Sequence, residues 1–227
     1  MEHNKTMANG LEKLSENQQY NEQAFNLIGK HIGKTVLEVG SGLGVNIKML
    51  SKNKKVIATD YDEKYCKILR KKFPKVPVHR LDLENGSVKP FLKYNIDTIL
   101  CFNVIEHIKN DRKAVLNMHK MVKKGGKVII WVPANKWLYS DFDRNIGHYR
   151  RYTRKELRKL LDDKFKTTYY RFNAFGILGW LVYFKWMRKQ QIPMGELKVY
   201  NKLFKFMHIF DKISPVGLSH IVICEKK

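Results

Sequence analysis

The stretch Thr35-Val36-Leu37-Glu38-Val39-Gly40-Ser41-Gly42-Leu43-Gly44 constrains this chain more than any other. Its first half, β-branched and apolar around a single acid, reads as a strand climbing out of a core. Three glycines at alternate positions follow, where the backbone can take positive φ and a ligand can approach it closely. From Val45 a helical pattern resumes, with Ile47, Met49 and Leu50 offering apolar faces. Strand, tight bend and helix start in that order present free N–H groups to whatever lies beyond the bend.

The bend is not a dinucleotide fingerprint. That motif reads G-x-G-x-x-G and grips a pyrophosphate, whereas the spacing here is G-x-G-x-G and Glu38 stands at the end of the strand. An acid in that position repels a pyrophosphate and suits a ligand that carries an ammonium and a sulfonium, which makes an NAD-dependent dehydrogenase a poor reading. The next predicted strand, Lys55 to Asp60, ends in a second acid. An ionised carboxylate only accepts hydrogen bonds, so Asp60 can take both hydroxyls of a ribose.

Glycine bend, Glu38 and Asp60 together resemble the class I S-adenosylmethionine-dependent methyltransferases. The resemblance implies an α/β fold of Rossmann-like, doubly wound type, with a mostly parallel seven-stranded sheet and helical cap insertions. It implies S-adenosyl-L-methionine as cofactor, leaving as S-adenosyl-L-homocysteine. The residues it points to are Glu38, Gly40, Ser41, Gly42, Gly44, Asp60 and Tyr61. In similar enzymes an acid ending the third strand meets the adenine, which here is Asp82, with the Leu83 backbone beside it; the other reading of Asp82 is a solvated loop acid. Asn103 joins the set at the end of the fourth strand. A leading helix covers the pocket in that family, so Tyr20 is either a ligand contact or ordinary core packing.

The order of elements supports the same architecture. Asp62 starts a helix with Tyr65, Leu69 and Phe73 on one side, closed by Pro74 and Pro77, and a strand from Val76 to Leu81 comes next. The almost wholly apolar run Ile96–Phe102 fits a central parallel strand. Asp111 opens a helix with Val115, Met118 and Val122 inward, for which Gly125-Gly126 is the expected C-cap. Strands at 127–132, 166–172 and 219–225 complete the sheet, and strand–helix alternation of this kind argues a doubly wound fold. At 227 residues the chain suits one domain: residues 1–14 are polar and expected to be loose, a helix is expected from Ser15, where Ser15 and Gln18 have capping-box spacing, and 15–227 form the methyltransferase domain.

Two segments interrupt the alternation. Residues 134–152 carry Trp137, Tyr139, Asp141, Phe142, Asp143, Arg144, His148, Tyr149, Arg150, Arg151 and Tyr152, and Thr153 with Glu156 forms a capping box after them. Residues 174–217 include the uncharged run Ala174–Phe184, which is well short of the roughly 20 residues that a membrane-spanning helix needs. Lys185, Arg188 and Lys189 follow it, with Lys198, Lys202, Lys205 and Lys212 beyond. Aromatic faces beside lysines suit an anionic membrane surface; a helical cap over the sheet is the alternative. Both insertions are expected to build a substrate cap.

Chemistry is expected at the carboxyl edge of the sheet, where α/β folds place their ligands. Methyl transfer needs mostly positioning, and a base only where the acceptor must lose a proton. Glu106 and His107 after strand four, with His148 and Tyr149 on the insertion, are the catalytic candidates; a helix-start acid and a buried histidine are the plainer readings of the first two. A similar Glu-His pair occurs at this point in quinone-type methyltransferases, some of which use a divalent metal. One acid and one histidine are too few ligands for a metal site, so none is expected. Gly147-His148-Tyr149-Arg150-Arg151-Tyr152 and Asn173–Trp180 are similar to segments of a subgroup of these enzymes in lipid and natural-product pathways. His148, Tyr149, Arg150 and Trp137 are read as acceptor contacts, and Arg151 as a partner of Asp141 or Asp143 that holds the insertion shut.

The acceptor is thus expected to be a small amphipathic molecule. The 44 basic against 21 acidic residues, a formal charge of +23, keep a tRNA or rRNA methyltransferase as the alternative, because basic excess attracts polyanions without specifying a fold. Against it stand the missing RNA-binding module and the missing Asn-Pro-Pro-Tyr-type motif, since Val104-Ile105 follows Asn103. A non-catalytic cofactor-binding regulator is the third reading. Cys66, Cys101 and Cys224 lie in apolar patterns without metal spacing and read as reduced. With the polar opening Met1–Lys5, that suggests a cytoplasmic protein, peripheral to a membrane at most. Oligomeric state has no signature in the chain.

Overall fold

The computed structural model describes residues 18–189 and 210–227. The loose start expected at 1–14, the Ser15 cap, the side chain of Tyr20, and Lys198, Lys202 and Lys205 lie outside the described residues.

In chain order the first half comprises α1 (Gln18–Ile28), β1 (Thr35–Val39), α2 (Val45–Leu50), β2 (Lys55–Asp60), α3 (Glu63–Lys72), β3 (Val78–Arg80), α4 (Lys89–Leu92) and β4 (Ile96–Phe102). A 3-10 turn, Ile105–His107, leads to α5 (Asp111–Met121) and β5 (Val122–Pro133). Then come a second 3-10 turn (Lys136–Leu138), α6 (Asp141–Asn145), α7 (Arg154–Leu161) and β6 (Phe165–Phe172). The chain closes with α8 (Gly176–Trp180), a π turn (Leu181–Trp186), α9 (Phe210–Ile213) and β7 (Ser219–Lys226).

The seven strands form one sheet in the order β3-β2-β1-β4-β5-β7-β6. The first five pair in parallel and β7 runs antiparallel to both its neighbours. Side chains of a strand alternate between faces, and here both faces are covered. Leu37, Val39, Ile99, Cys101, Val128 and Ile130 pack with α5 and α7 through Val115, Met118, Leu157 and Leu161. Val36, Leu100, Ile129 and Trp131 face the other way, against Ala24 and Ile28 of α1, Ile47 of α2 and Leu69 of α3. This two-faced burial is why the central strands read as continuous apolar runs.

Two boundaries differ from the sequence expectation. β3 is shorter than Val76–Leu81 because Pro77 has no N–H for the ladder, although its carbonyl still accepts from the Ala58 amide at 2.9 Å. Helix α5 ends at Met121, and Val122 pairs with Ile96 at the start of β5. Gly125-Gly126 therefore sits inside a strand irregularity rather than at a helix cap. A Cβ on Gly126 would lie 2.9 Å from the Asp97 carbonyl oxygen, so the two strands close there only without a side chain.

Candidate functional site

The bend after β1 is built as a backbone cradle. Gly40, Gly42 and Gly44 all adopt positive φ. Gly40 must be glycine on two counts: its φ is +72°, and a Cβ would come within 2.5 Å of Val104 Cγ2. Gly42 has φ +51° and nothing within 4 Å of where its Cβ would be, so the bend is open on that side. The Ser41 amide donates to the Thr59 carbonyl at 2.9 Å, which ties the bend to β2. Gly44 is the left-handed residue from which α2 starts.

Two carboxylates flank this bend. Glu38 is only 3% exposed; its Oε1 accepts a 2.8 Å hydrogen bond from Asn46 Nδ2, and its Oε2 meets no hydrogen-bond partner among the described residues. Burial pushes its carboxyl up to about 7, against the lowering effect of Asn46 and Ser41, and the charge of Asp60 adds to the rise. Asp60 accepts from the Gly42 amide at 2.8 Å and from the Asp62 amide at 3.0 Å. Burial raises this acid too, and those amides counter the rise. Each Asp60 oxygen keeps a further lone pair.

Other predicted residues take stated places around it. Tyr61 is exposed, with the Arg80 guanidinium 5.7 Å from its ring centre. Asn103 is exposed, left-handed at φ 51°, and its amide donates to the Trp131 carbonyl at 2.8 Å. Asp82 caps its own turn: one oxygen accepts the amides of Glu84 and Asn85, both at 2.9 Å. Leu83 is a core side chain whose carbonyl accepts from Asn117 at 2.9 Å. Asn46 was missed in the sequence; its one signal there is its place in the first turn of α2, facing back to the strand end.

Past β4 the Ile105–His107 turn brings in the second group. Glu106 is 0% exposed, and neither of its carboxylate oxygens meets a well-formed hydrogen-bond donor. His148 comes from the insertion and lies between two acids: Nδ1 is 2.9 Å from Asp143 Oδ1, and Nε2 is 3.8 Å from Glu106 Oε1. The His107 ring packs edge-on against His148, centroids 4.6 Å apart. Burial lifts Glu106 to about 7, partly offset by His148 and Arg151. Burial, then His148, lowers His107 to about 4, so it is neutral.

Asp143 organises the insertion. It accepts from the Ser140 amide (2.9 Å) and hydroxyl (3.0 Å) and from Arg151 Nε (3.0 Å), as well as binding His148. Burial opposes its charge, and the bonds from His148 and Arg151 outweigh that, holding the carboxyl below the usual range. Arg151 is 2% exposed and also lies 4.1 Å from the Trp180 ring centre. It is the clasp expected of it, on Asp143, while Asp141 pairs with Arg144. The Tyr149 amide donates to the Glu106 carbonyl at 2.8 Å, so the insertion is laced directly to the turn after β4. The Tyr149 ring is 58% exposed. Arg150 binds Asp111 at 2.6 Å and the Lys109 carbonyl at 2.8 Å, so its guanidinium is already engaged. Trp137 is half-exposed on its own turn. A separate cleft of about 970 Å³, lined by Gln23, Asn135, Arg154, Tyr170, Arg171 and His220, opens near the end of β5 and contains none of the predicted residues.

The bend suits a nucleoside bearing a cationic amino-acid tail: an open glycine face, spare lone pairs on Asp60 and an unpartnered buried oxygen on Glu38. Comparison with known proteins agrees. Residues 37–130 match a family model described as a methyltransferase domain. A "probable S-adenosylmethionine-dependent methyltransferase" of Mycolicibacterium smegmatis is 29% identical over 136 residues, 57% of this chain and 51% of that protein. One of the same description from Mycobacterium tuberculosis is 29% identical over 134 residues, 57% of this chain and 47% of that one. The chain thus spans about half the length of these curated relatives. Among solved structures, an S-adenosylmethionine-dependent methyltransferase from Archaeoglobus fulgidus superposes with TM-score 0.59 at 13% identity, over 92% of this chain and 94% of that one. Haemonchus contortus phosphoethanolamine N-methyltransferase 2, solved with S-adenosyl-L-methionine, gives TM-score 0.61 at 14% identity, over 91% of this chain and 52% of that one. The seven-stranded sheet is that of the S-adenosylmethionine-dependent methyltransferases, and residues 37–130, which carry the β1 bend and its two acids, match the methyltransferase-domain family.

Proposed function

We propose that this protein transfers the methyl group of S-adenosyl-L-methionine to a small, amphipathic or lipid-like acceptor by direct in-line displacement. The unpartnered Oε2 of buried Glu38 behind the glycine bend carries the reading, since a buried carboxylate oxygen calls for a donor or a cation. Glu38 takes the donor's ammonium end, Asp60 and the open face at Gly42 take the ribose, and Asp82, Leu83, Tyr61 and Asn103 surround the adenine side. The bound cofactor supplies the methyl and its own leaving group. The chain's part is to align the acceptor, exclude water and receive a proton where the acceptor must shed one, and Glu106, His107, His148 and Tyr149 serve that end.

Exposed Leu178, Val182 and Trp186, the last 82% exposed, stand beside Lys185 and Arg188 and form an amphipathic surface of the kind that meets anionic membranes. No helix among the described residues is long and apolar enough to cross a membrane, so the contact we propose is peripheral, by a cytoplasmic protein. The test is incubation with tritium-labelled donor and a panel of quinone, isoprenoid, lipid-linked and polyketide-like acceptors, alongside total RNA. Label in an extractable small molecule is expected. Label in RNA, with RNA binding that falls steeply with salt, favours the reading that the +23 charge supports. Donor binding by calorimetry without any labelled acceptor in extracts of a deletion strain points to a regulator.

A further inference from the structure

From the geometry of Glu106, His107 and His148 we infer a binding site for a divalent first-row transition-metal ion of the Zn²⁺ class. One ligand atom from each residue lies within 4.8 Å of the other two. His148 came from a segment about 40 residues away, so the chain read linearly shows only a pair.

Two observations point to a cation rather than to packing alone. Asp143, itself ion-paired to Arg151, is the partner of His148 Nδ1, which leaves Nε2 as the ring nitrogen turned toward Glu106. That nitrogen faces Glu106 Oε1 at 3.8 Å, and Glu106 is wholly buried with both oxygens unpartnered. In the Nδ1–H tautomer, Nε2 offers Glu106 a lone pair and no donor. A buried carboxylate without a hydrogen-bond donor is costly, and a cation between the two lowers that cost. Two ligand atoms on one such ion lie at most about 4.1 Å apart, and about 3.3 Å apart at the tetrahedral angle, so the 3.8 Å pair lies within reach of an ion after a small closure. The widest pair exceeds the larger of those distances by less than about 1 Å, which a side-chain rotation of His107 closes.

The surroundings are those of a supported metal site. A ligating histidine is usually fixed through its other nitrogen by a carboxylate or carbonyl; Asp143 does this for His148, and the Gly147 backbone hydrogen-bonds His107. Two imidazoles and one carboxylate suit borderline ions such as Zn²⁺, Fe²⁺ or Co²⁺ rather than Ca²⁺ or Mg²⁺. Three protein ligands leave a coordination position open. On the methyltransferase reading, a bound ion would offer that position to a hydroxyl oxygen of the acceptor and lower its pKa, the proton leaving to solvent; with the ion in place Glu106, His107 and His148 would serve the loss of that proton as ligands.

The test reads ion binding without donor or acceptor, so its outcome is separate from the outcome for methyl transfer. Full-length protein stripped with chelator is titrated with Co²⁺ under reducing conditions and followed by visible absorption and calorimetry. One equivalent of Co²⁺, displaced by Zn²⁺, is expected, with the visible bands lost in Glu106→Gln. Asp143→Asn, which touches no ion, is expected to weaken binding by roughly 10- to 100-fold. His107→Gln serves as the second variant if Glu106→Gln fails to fold by circular dichroism. Absence of Co²⁺ binding to folded wild-type protein, or binding unchanged in the folded variants, overturns the site.

Discussion

Asp60 Oδ2 accepts a 2.8 Å hydrogen bond from the Gly42 amide, so the carboxylate that we assign to the donor's ribose also sets the shape of the glycine bend. Shape and binding therefore share one side chain. Removing it disturbs both, and replacing it with an amide separates them in part, because asparagine keeps one acceptor oxygen.

Asp60→Ala is expected to weaken S-adenosylmethionine binding by about two orders of magnitude or more, for the loss of charge-assisted bonds worth roughly 1.5–3 kcal/mol each. Asp60→Asn should fall between it and wild type. Calorimetry with S-adenosylhomocysteine measures both. Unchanged affinity in the alanine variant contradicts the assignment of the ribose to this acid.

Glu38 offers a pH test. Its carboxyl is raised to about 7 in the folded chain, so the ligand-free protein holds a proton there that the unfolded chain releases near 4.5. A raised acid contributes stability below the unfolded value that is lost as pH climbs to about 7. Glu106 behaves alike, whereas His107 and His220, both lowered to about 4, gain stability over much of the same range. The four nearly cancel in wild-type protein. Urea unfolding of Glu38→Gln against wild type isolates one of them: the variant should gain relative stability on going from pH 4.5 to 7, by on the order of 3 kcal/mol. Donor affinity of the wild type should in turn rise as pH passes upward through about 7, because the cationic tail favours the ionised acid.

Gly40→Ala tests the cradle. An alanine there must hold φ near +72° and push Val104 aside. Left-handed strain costs of order 1–3 kcal/mol, and Val104 moves with the turn that carries Glu106. Thermal unfolding should fall by several degrees, and donor binding should weaken with it.

The two adjacent arginines should separate cleanly. Arg151→Met leaves Asp143 buried without its cation, and breaking a buried pair in this way costs about 3–5 kcal/mol. Arg150→Ala removes a partly exposed pair with Asp111, which a surface-like value of about 1 kcal/mol describes. Chemical denaturation of the two variants gives the comparison, and equal losses would refute the clasp assigned to Arg151.

Local pattern determined a great deal by itself. Two-faced apolar runs, glycines at alternate positions and acids at two strand ends are all short-range features, and short-range sterics and burial dictate them. They made the sheet, the bend and the Glu38–Asp60 pair legible in the chain. Element ends were less so: Gly125-Gly126 looked like a helix cap, and only the pairing of Val122 with Ile96 turned the pair into a close strand contact. What tertiary structure alone decided is the second cluster. Glu106 and His148 are linked through no local rule; they meet because the insertion folds back onto the β4 edge, pinned by Asp143 and Arg151 in a buried ion pair and by the Tyr149 amide on the Glu106 carbonyl. Long-range contacts of that kind depend on how loops close over a finished sheet, and side-chain spacing along the chain carries no record of it.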